Sequence, residues 1–271
     1  MPIAQQLQID VVRGADEPTL YVSRVGLAVW MQFGPVGGVI GGMIQDEKER
    51  AIEASIAPIR DNLAGYSFYD RLEQTLHARA ASEGLSPEPQ FDLRNPRWQP
   101  GGDEEPEALV LVAGFSMSPD FGELNVTMLA QWVKRVNKPK GGSEIEILFV
   151  RKYAYSFPMY TGKQAERPAK WAQLGPARMH LLMDEAADQL VDMLVYDFSR
   201  EGRDNWQARI DKKEFTRLDD IGFGGREIRR GQDWVWTQVQ IGKEWPILRG
   251  HHPIVAASYS EAAPRLPQVA K

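Results

Sequence analysis

Three stretches in the middle of the chain alternate apolar and polar residues with a period of two. Leu109, Leu111, Ala113, Phe115 and Met117 share one face of the first, and Leu124, Val126, Met128, Ala130 and Trp132 share one face of the second. The third carries Ile145, Ile147, Phe149, Tyr153, Tyr155 and Phe157, with Arg151 interrupting the apolar face. Alternation places successive side chains on opposite faces of a strand. Ser118-Pro119-Asp120 and Lys138-Pro139-Lys140-Gly141-Gly142 supply the turns between the runs. Such a series predicts an antiparallel meander.

The period then lengthens. Met179, Leu182, Met183, Ala186, Leu190, Met193, Leu194 and Phe198 recur at three- and four-residue spacing, as on a helix that buries one stripe against a sheet. Pro176 stands where a first-turn proline is tolerated, and Gly202 is the expected stop. Upstream, Asp46, Glu47 and Glu49 gather as acidic residues do at a helix amino terminus. Ile52, Ile56, Ile59 and Leu63 continue that helix, which Pro58 is expected to kink or divide. After Gly65, Ser67 and Asp70 are spaced like a capping box, ahead of a stripe of Leu72, Leu76 and Ala80.

The flanks carry weaker patterns. Leu7, Ile9 and Val11 alternate as in a short strand, and another apolar run starts at Thr19. Residues 84–106 are polar and rich in Pro and Gly, which predicts an irregular connection. Beyond Gly202, short apolar segments alternate with glycine turns. They form either a small β-subdomain or an extension of the same sheet. The fold class expected is therefore α+β: an antiparallel meander packed by two or three helices, with a small carboxy-terminal β-region. The divisions are leading strands at 1–24, an apolar glycine-rich segment at 25–45, a core domain at 46–202, a β-rich region at 203–255 and a tail at 256–271.

The segment from Val25 to Ile44, VGLAVWMQFGPVGGVIGGMI, has no charged residue. Its length is about that of a bilayer-spanning helix. Gly34, Gly38 and Gly42 fall at i, i+4 and i+8, with Gly37 and Gly41 as a second offset pair. On a helix that spacing opens one face to a close backbone neighbour. Trp30 would then suit a membrane interface. The same residues also write a strand from Leu20 to about Met31 and a glycine-rich loop, since each interior Gly costs a helix about 1 kcal/mol and Pro35 about 3. Both readings stand at this level. No phosphate-binding loop is present, because Gly42 is followed by Met43.

Composition narrows the function classes. The chain has 271 residues, a formal net charge of −5 and no cysteine. Net acidity argues against broad phosphate neutralisation, so nucleic acid is not an expected partner. The missing thiols exclude disulfides, thiolate metal sites, cysteine nucleophiles and acylated cysteine anchors. Residues 1–10 lack the basic start and long apolar core of a secretory leader.

Candidate chemistry is sparse. His180 and Asp184 share a helix face and would suit an oriented imidazole, yet no nucleophile motif accompanies them. His251 and His252 are adjacent, so on a strand they face opposite ways and make a poor metal pair. His77 is expected on a helix surface. Asp184, Asp188 and Asp192 form an acidic ridge read as a solvated helix face. Lys134, Arg135, Lys138 and Lys140 read as a charged hairpin tip, with anionic headgroups as the alternative contact. Trp234, Trp236 and Trp245 form a cluster that either fills the core of the β-region or stacks on a sugar or a protein partner. No catalytic, cofactor or metal residue is assigned.

The order of strand, helices, meander and long helix resembles the small α/β domain of bacterial envelope proteins. These include the amino-terminal domain of TolB and the lipoproteins of curli secretion and of penicillin-binding-protein activation. It also resembles proteobacterial proteins in which a GxxGG-type segment precedes I-A-P-I-R-x-x-L and Y-x-F-x-x-R-L, here Gly34–Gly42, Ile56–Leu63 and Tyr66–Leu72. The likeness spans about residues 7–200 and implies no catalytic residue. Lipoproteins of this kind carry an acylated cysteine, which this chain lacks. The expectation is a non-enzymatic accessory or assembly protein of the envelope or a membrane. It would contact a protein partner, a second copy or a bilayer through Trp30, Gly34, Gly37, Gly38, Gly41 and Gly42. The alternative is a soluble ligand- or glycan-binding module using Trp234, Trp236 and Trp245.

Overall fold

A computed structural model describes residues 10–13, 19–22, 47–83, 107–137, 142–159, 162–207, 214–218, 220–241 and 245–254. The alternating runs form the expected meander: β3 (Glu107–Met117), β4 (Glu123–Asn137) and β5 (Ser143–Pro158), antiparallel throughout. Two short strands, β1 (Asp10–Arg13) and β2 (Tyr21–Val22), pair parallel with the outer edge of β3. The glycine-rich segment, the connection at 84–106 and the tail lie outside the described residues.

Helices α1 (Glu47–Asp61) and α2 (Phe68–Glu83) precede the meander, and α3 (Arg167–Gln173), α4 (Gly175–Phe198) and α5 (Arg200–Gln207) follow it. Pro58 does not divide α1. Pro58 and Ala54, whose carbonyl it leaves without a donor, are both exposed, so water can take that carbonyl. The α2 cap forms as its spacing predicts, with the Asp70 amide donating to Ser67 Oγ at 3.4 Å. Helix α4 ends earlier than Gly202 suggested. Ser199 Oγ donates to the Tyr196 carbonyl at 2.6 Å and accepts the Gly202 amide at 3.0 Å, so the break is at Ser199 and Gly202 belongs to α5. Glycine is needed at 202 because a Cβ there would overlap the Tyr196 carbonyl.

The carboxy-terminal strands are β6 (Phe215–Leu218), β7 (Ile221–Gly224), β8 (Arg226–Arg230), β9 (Val235–Ile241) and β10 (Trp245–His251). Of the two arrangements open at the sequence level, extension of the main sheet is the one formed by β8–β10. Strand β10 pairs parallel with β5, and the order across the eight-stranded sheet is β1-β3-β4-β5-β10-β9-β8. Only β6 and β7 form a separate two-stranded sheet. The fold is α+β, with a mixed sheet built around the antiparallel meander.

One core joins the layers. The apolar faces of β3, β4 and β5 meet Phe68, Leu72 and Leu76 of α2 and Met179, Leu182, Met183, Ala186 and Leu190 of α4. Each buried leucine contributes about 2 kcal/mol relative to exposure. The β3–β4 turn is pinned separately. Phe121 takes a left-handed φ of 54°, and its carbonyl accepts the Trp171 indole N–H at 2.9 Å. Asp120 accepts from Ser118 Oγ, the Gly122 amide and Arg167; burial works to raise its pKa, but these donors outweigh it and hold the carboxyl below its usual value.

Candidate functional site

Three groups of side chains could carry chemistry or contact. They are the polar pairs between α4 and its neighbours, the histidines and tryptophans of the carboxy-terminal strands, and the edges of the sheet.

Carboxylates of α4 accept hydrogen bonds from phenols. Tyr153 donates to Asp197 at 2.8 Å, and Arg151, the residue that breaks the apolar pattern of β5, lies 3.8 Å from the same carboxylate. Tyr155 donates to Glu185 at 2.6 Å, and His252 Nδ1 lies 2.6 Å from the same Glu185 oxygen. Burial first, and then the neighbouring carboxylates, push both phenols well above their usual pKa. They therefore stay protonated at neutral pH and act as donors that make buried carboxylates tolerable.

The acidic ridge is not a solvated face. Asp184 accepts from Tyr66 at 2.7 Å, Asp188 from Arg71 and Thr75 at 2.8 and 2.7 Å, and Asp192 pairs with Arg79 at 2.6 Å. Arg71, Thr75 and Arg79 repeat at the same four-residue step, and the pairs advance together, so α2 and α4 run parallel with matched ridges. Each helix read alone shows charge, and only the two together show pairing.

This pairing also answers the His180–Asp184 question. Asp184 turns to Tyr66 and Arg71, while the His180 ring lies 4.9 Å from that of Tyr66. The oriented imidazole is not assembled. His77 is exposed, 3.6 Å from Glu73. His251 and His252 face opposite ways as expected. His252 reaches Glu185 on the helix side, and His251 stacks on Phe223 of β7 with ring centroids 3.6 Å apart. Among the described residues, no three His, Asp or Glu converge as metal ligands.

Trp236 is 1% exposed, and its indole N–H donates to Gln189 at 2.7 Å. Arg229 lies 5.1 Å from its ring and 5.2 Å from that of Tyr196. Trp234 packs on Trp236 with centroids 5.3 Å apart and lies over Gly231, where a Cβ would collide with it. For Trp236 this is the core arrangement rather than a stacking platform. Trp245 opens β10, and its side chain lies outside the described residues, as do Trp30, Gly34, Gly37, Gly38, Gly41 and Gly42.

The sheet edges differ sharply in chemistry. Strand β1 is four residues long. The β8 edge is charged, with Arg230 held by Glu227 at 2.6 Å. Strand β5 is different. Its partner β10 pairs in register with Tyr153–Ser156, the same register brings Trp245–Ile247 toward Val150–Lys152, and the His252 and Ile254 amides donate to the Ser156 and Pro158 carbonyls, so among the described residues Ser143–Phe149 has no strand on that side. Within this stretch Ile147 is 54% exposed and Leu148 42%. The register against β4 passes from Phe149 opposite Trp132 to Ile147 opposite Val133, leaving Leu148 as the extra residue of a bulge. An exposed apolar edge of this kind is a template for another strand.

The alternation of β5 was legible in the sequence, but its open edge was not. That edge depends on where β10 docks, and no local pattern states this. Neither a scan against protein-family models nor a search of curated proteins returned a match to this chain.

Proposed function

We propose that this protein is a non-enzymatic accessory or assembly protein that works by protein contact, adding a strand to the open edge of β5. The observation that carries the reading is the outer side of Ser143–Phe149, beside which no strand lies among the described residues, with Ile147 and Leu148 exposed. Proteins ordinarily blunt free edges with short strands or charge, as at β1 and β8 here. Leaving an apolar edge open suits recognition by main-chain hydrogen bonds, with side-chain pockets setting specificity.

Placement at a membrane or in the cell envelope is part of the proposal. It is supported by the uncharged run Val25–Ile44 and by the resemblance to envelope domains. Among the described residues, no helix is long and apolar enough to cross a membrane.

Photo-crosslinking tests the contact. With a photoreactive residue at Leu148 in cells of the source organism, the expected result is a discrete crosslinked product absent when the probe sits at Glu227 on β8. Equal or absent products at the two positions would remove the reading.

A further inference from the structure

We propose that the β6–β7 hairpin is an acid-released flap: protonation of His251 beneath it opens the hairpin off the sheet while β10 and α4 stay in place. The inference is independent of the strand-addition reading above.

The hairpin is built to move as a unit. Strands β6 and β7 pair with each other as a two-stranded sheet separate from the main one. Leu218 and Phe223 pack with Ile221 and with Val235 of β9 in a small cluster apart from the main core. The remaining ties run to β8 and the residue before it. The Gly225 amide donates to the Glu214 carbonyl at 2.9 Å, Thr216 Oγ1 to the Gly225 carbonyl at 3.2 Å, and Arg230 to the Arg217 carbonyl at 2.6 Å. A two-stranded hairpin without apolar support is marginal in water.

His251 supplies the trigger. Phe223 stacks on its ring with centroids 3.6 Å apart. The ring is 1% exposed, and neither nitrogen has a hydrogen-bond partner. In the closed form an added proton finds no acceptor, whereas in the open form water solvates it. Acid therefore favours the open form.

The charged surroundings can be named element by element. Arg249 of β10 shares the His251 face, as does Lys152, two residues before the Ala154 that pairs with Arg249. Strand β9 presents Val235 and Thr237, while Asp233 ahead of it acts on the Tyr155 phenol across the sheet. Glu227 and Arg230 of β8 pair with each other at 2.6 Å. The hairpin buries Thr216, Leu218 and Phe223, leaves Arg217 and Asp220 exposed, and is led in by Glu214. Burial first, and Arg249 second, hold the closed imidazole well below the usual histidine pKa.

The other side of β10 is secured. His252 Nδ1 lies 2.6 Å from Glu185, its amide donates to the Ser156 carbonyl at 3.0 Å, and the Ile254 amide donates to the Pro158 carbonyl at 2.8 Å. A proton gained by His252 meets a carboxylate; one gained by His251 meets Arg249. The adjacent histidines thus divide the response, holding the strand and releasing the flap.

Hydrogen exchange read by mass spectrometry at pH 7.5 and 5.5, corrected for intrinsic rates, tests the flap. With an ordinary histidine value near 6.5 in the open form, the opening constant should rise about tenfold over that range. Peptides covering residues 215–225 should lose about tenfold in protection. They should also exchange faster than those covering residues 179–194, and without their dependence on low urea, as local opening requires. His251→Phe and His251→Leu, which share the missing proton, should each abolish the pH difference. Equal protection of the native hairpin at the two pH values overturns the assignment. So does exchange of the hairpin in step with α4 across urea, or a pH response that persists in either folded variant.

Discussion

The imidazole of His251 is 1% exposed and stacked on Phe223, and neither ring nitrogen has a hydrogen-bond partner. Burial first, and the charge of Arg249 second, hold its pKa well below the usual histidine value. The unfolded chain thus binds a proton near pH 6.5 that the folded chain refuses. This contribution leaves stability whole above that pH and erodes it as pH falls, by up to about 1.4 kcal/mol per unit until the folded ring protonates. His251→Phe keeps an aromatic ring against Phe223 and removes the proton. Urea unfolding from pH 7 down to 5 should show a shallower loss of stability in the variant than in the native chain. Equal slopes would mean that His251 does not resist protonation.

At the scale of elements, meander and helices were legible because each is written in one local period. Met179 through Phe198 predicted α4, and the three alternating runs predicted β3–β5. What escaped was pairing between elements. Asp188 reads as solvated until Arg71 and Thr75 are beside it, and Arg151 reads as a flaw in β5 until Asp197 approaches. Gly202 has the same lesson: the sequence marks it as a helix stop, whereas its use is close approach to the Tyr196 carbonyl. Gly202→Ala should cost about 1–3 kcal/mol in chemical denaturation, the usual range for a forced steric shift. Gly224→Ala, with open space around it, should cost little. Comparable losses at both sites would contradict the packing assigned to α5.

For the whole molecule, strand β2 and the open edge of β5 lie at different ends of the sheet. Strand β2, which leads into Val25–Ile44, pairs with β3 at Ser116–Met117, beside Leu124 of β4. The open edge at Ile147 lies beside Val133 of the same strand, about 30 Å away at a strand's rise per residue. Liposome flotation of the native chain against Val29→Asp with Val39→Asp should show weaker bilayer partitioning in the variant, because charge in an apolar segment opposes insertion. Identical partitioning would dismiss Val25–Ile44 as the membrane contact.

The parallel joins of the sheet also impose an order on folding. The meander closes through short turns, while β1 must find β3 across both early helices and β10 must find β5 across the later ones. Pairings so distant along the chain are slow because the intervening loop must close first. During synthesis, β5 therefore emerges with its entire outer edge bare, and the portion from Tyr153 to Ser156 stays so until residue 251 has left the ribosome. A nascent chain paused in that interval would offer a neighbour a longer template than the finished protein does. Completion of β10 closes that part of the edge, and among the described residues the stretch Ser143–Phe149 is then the part of β5 with no strand beside it.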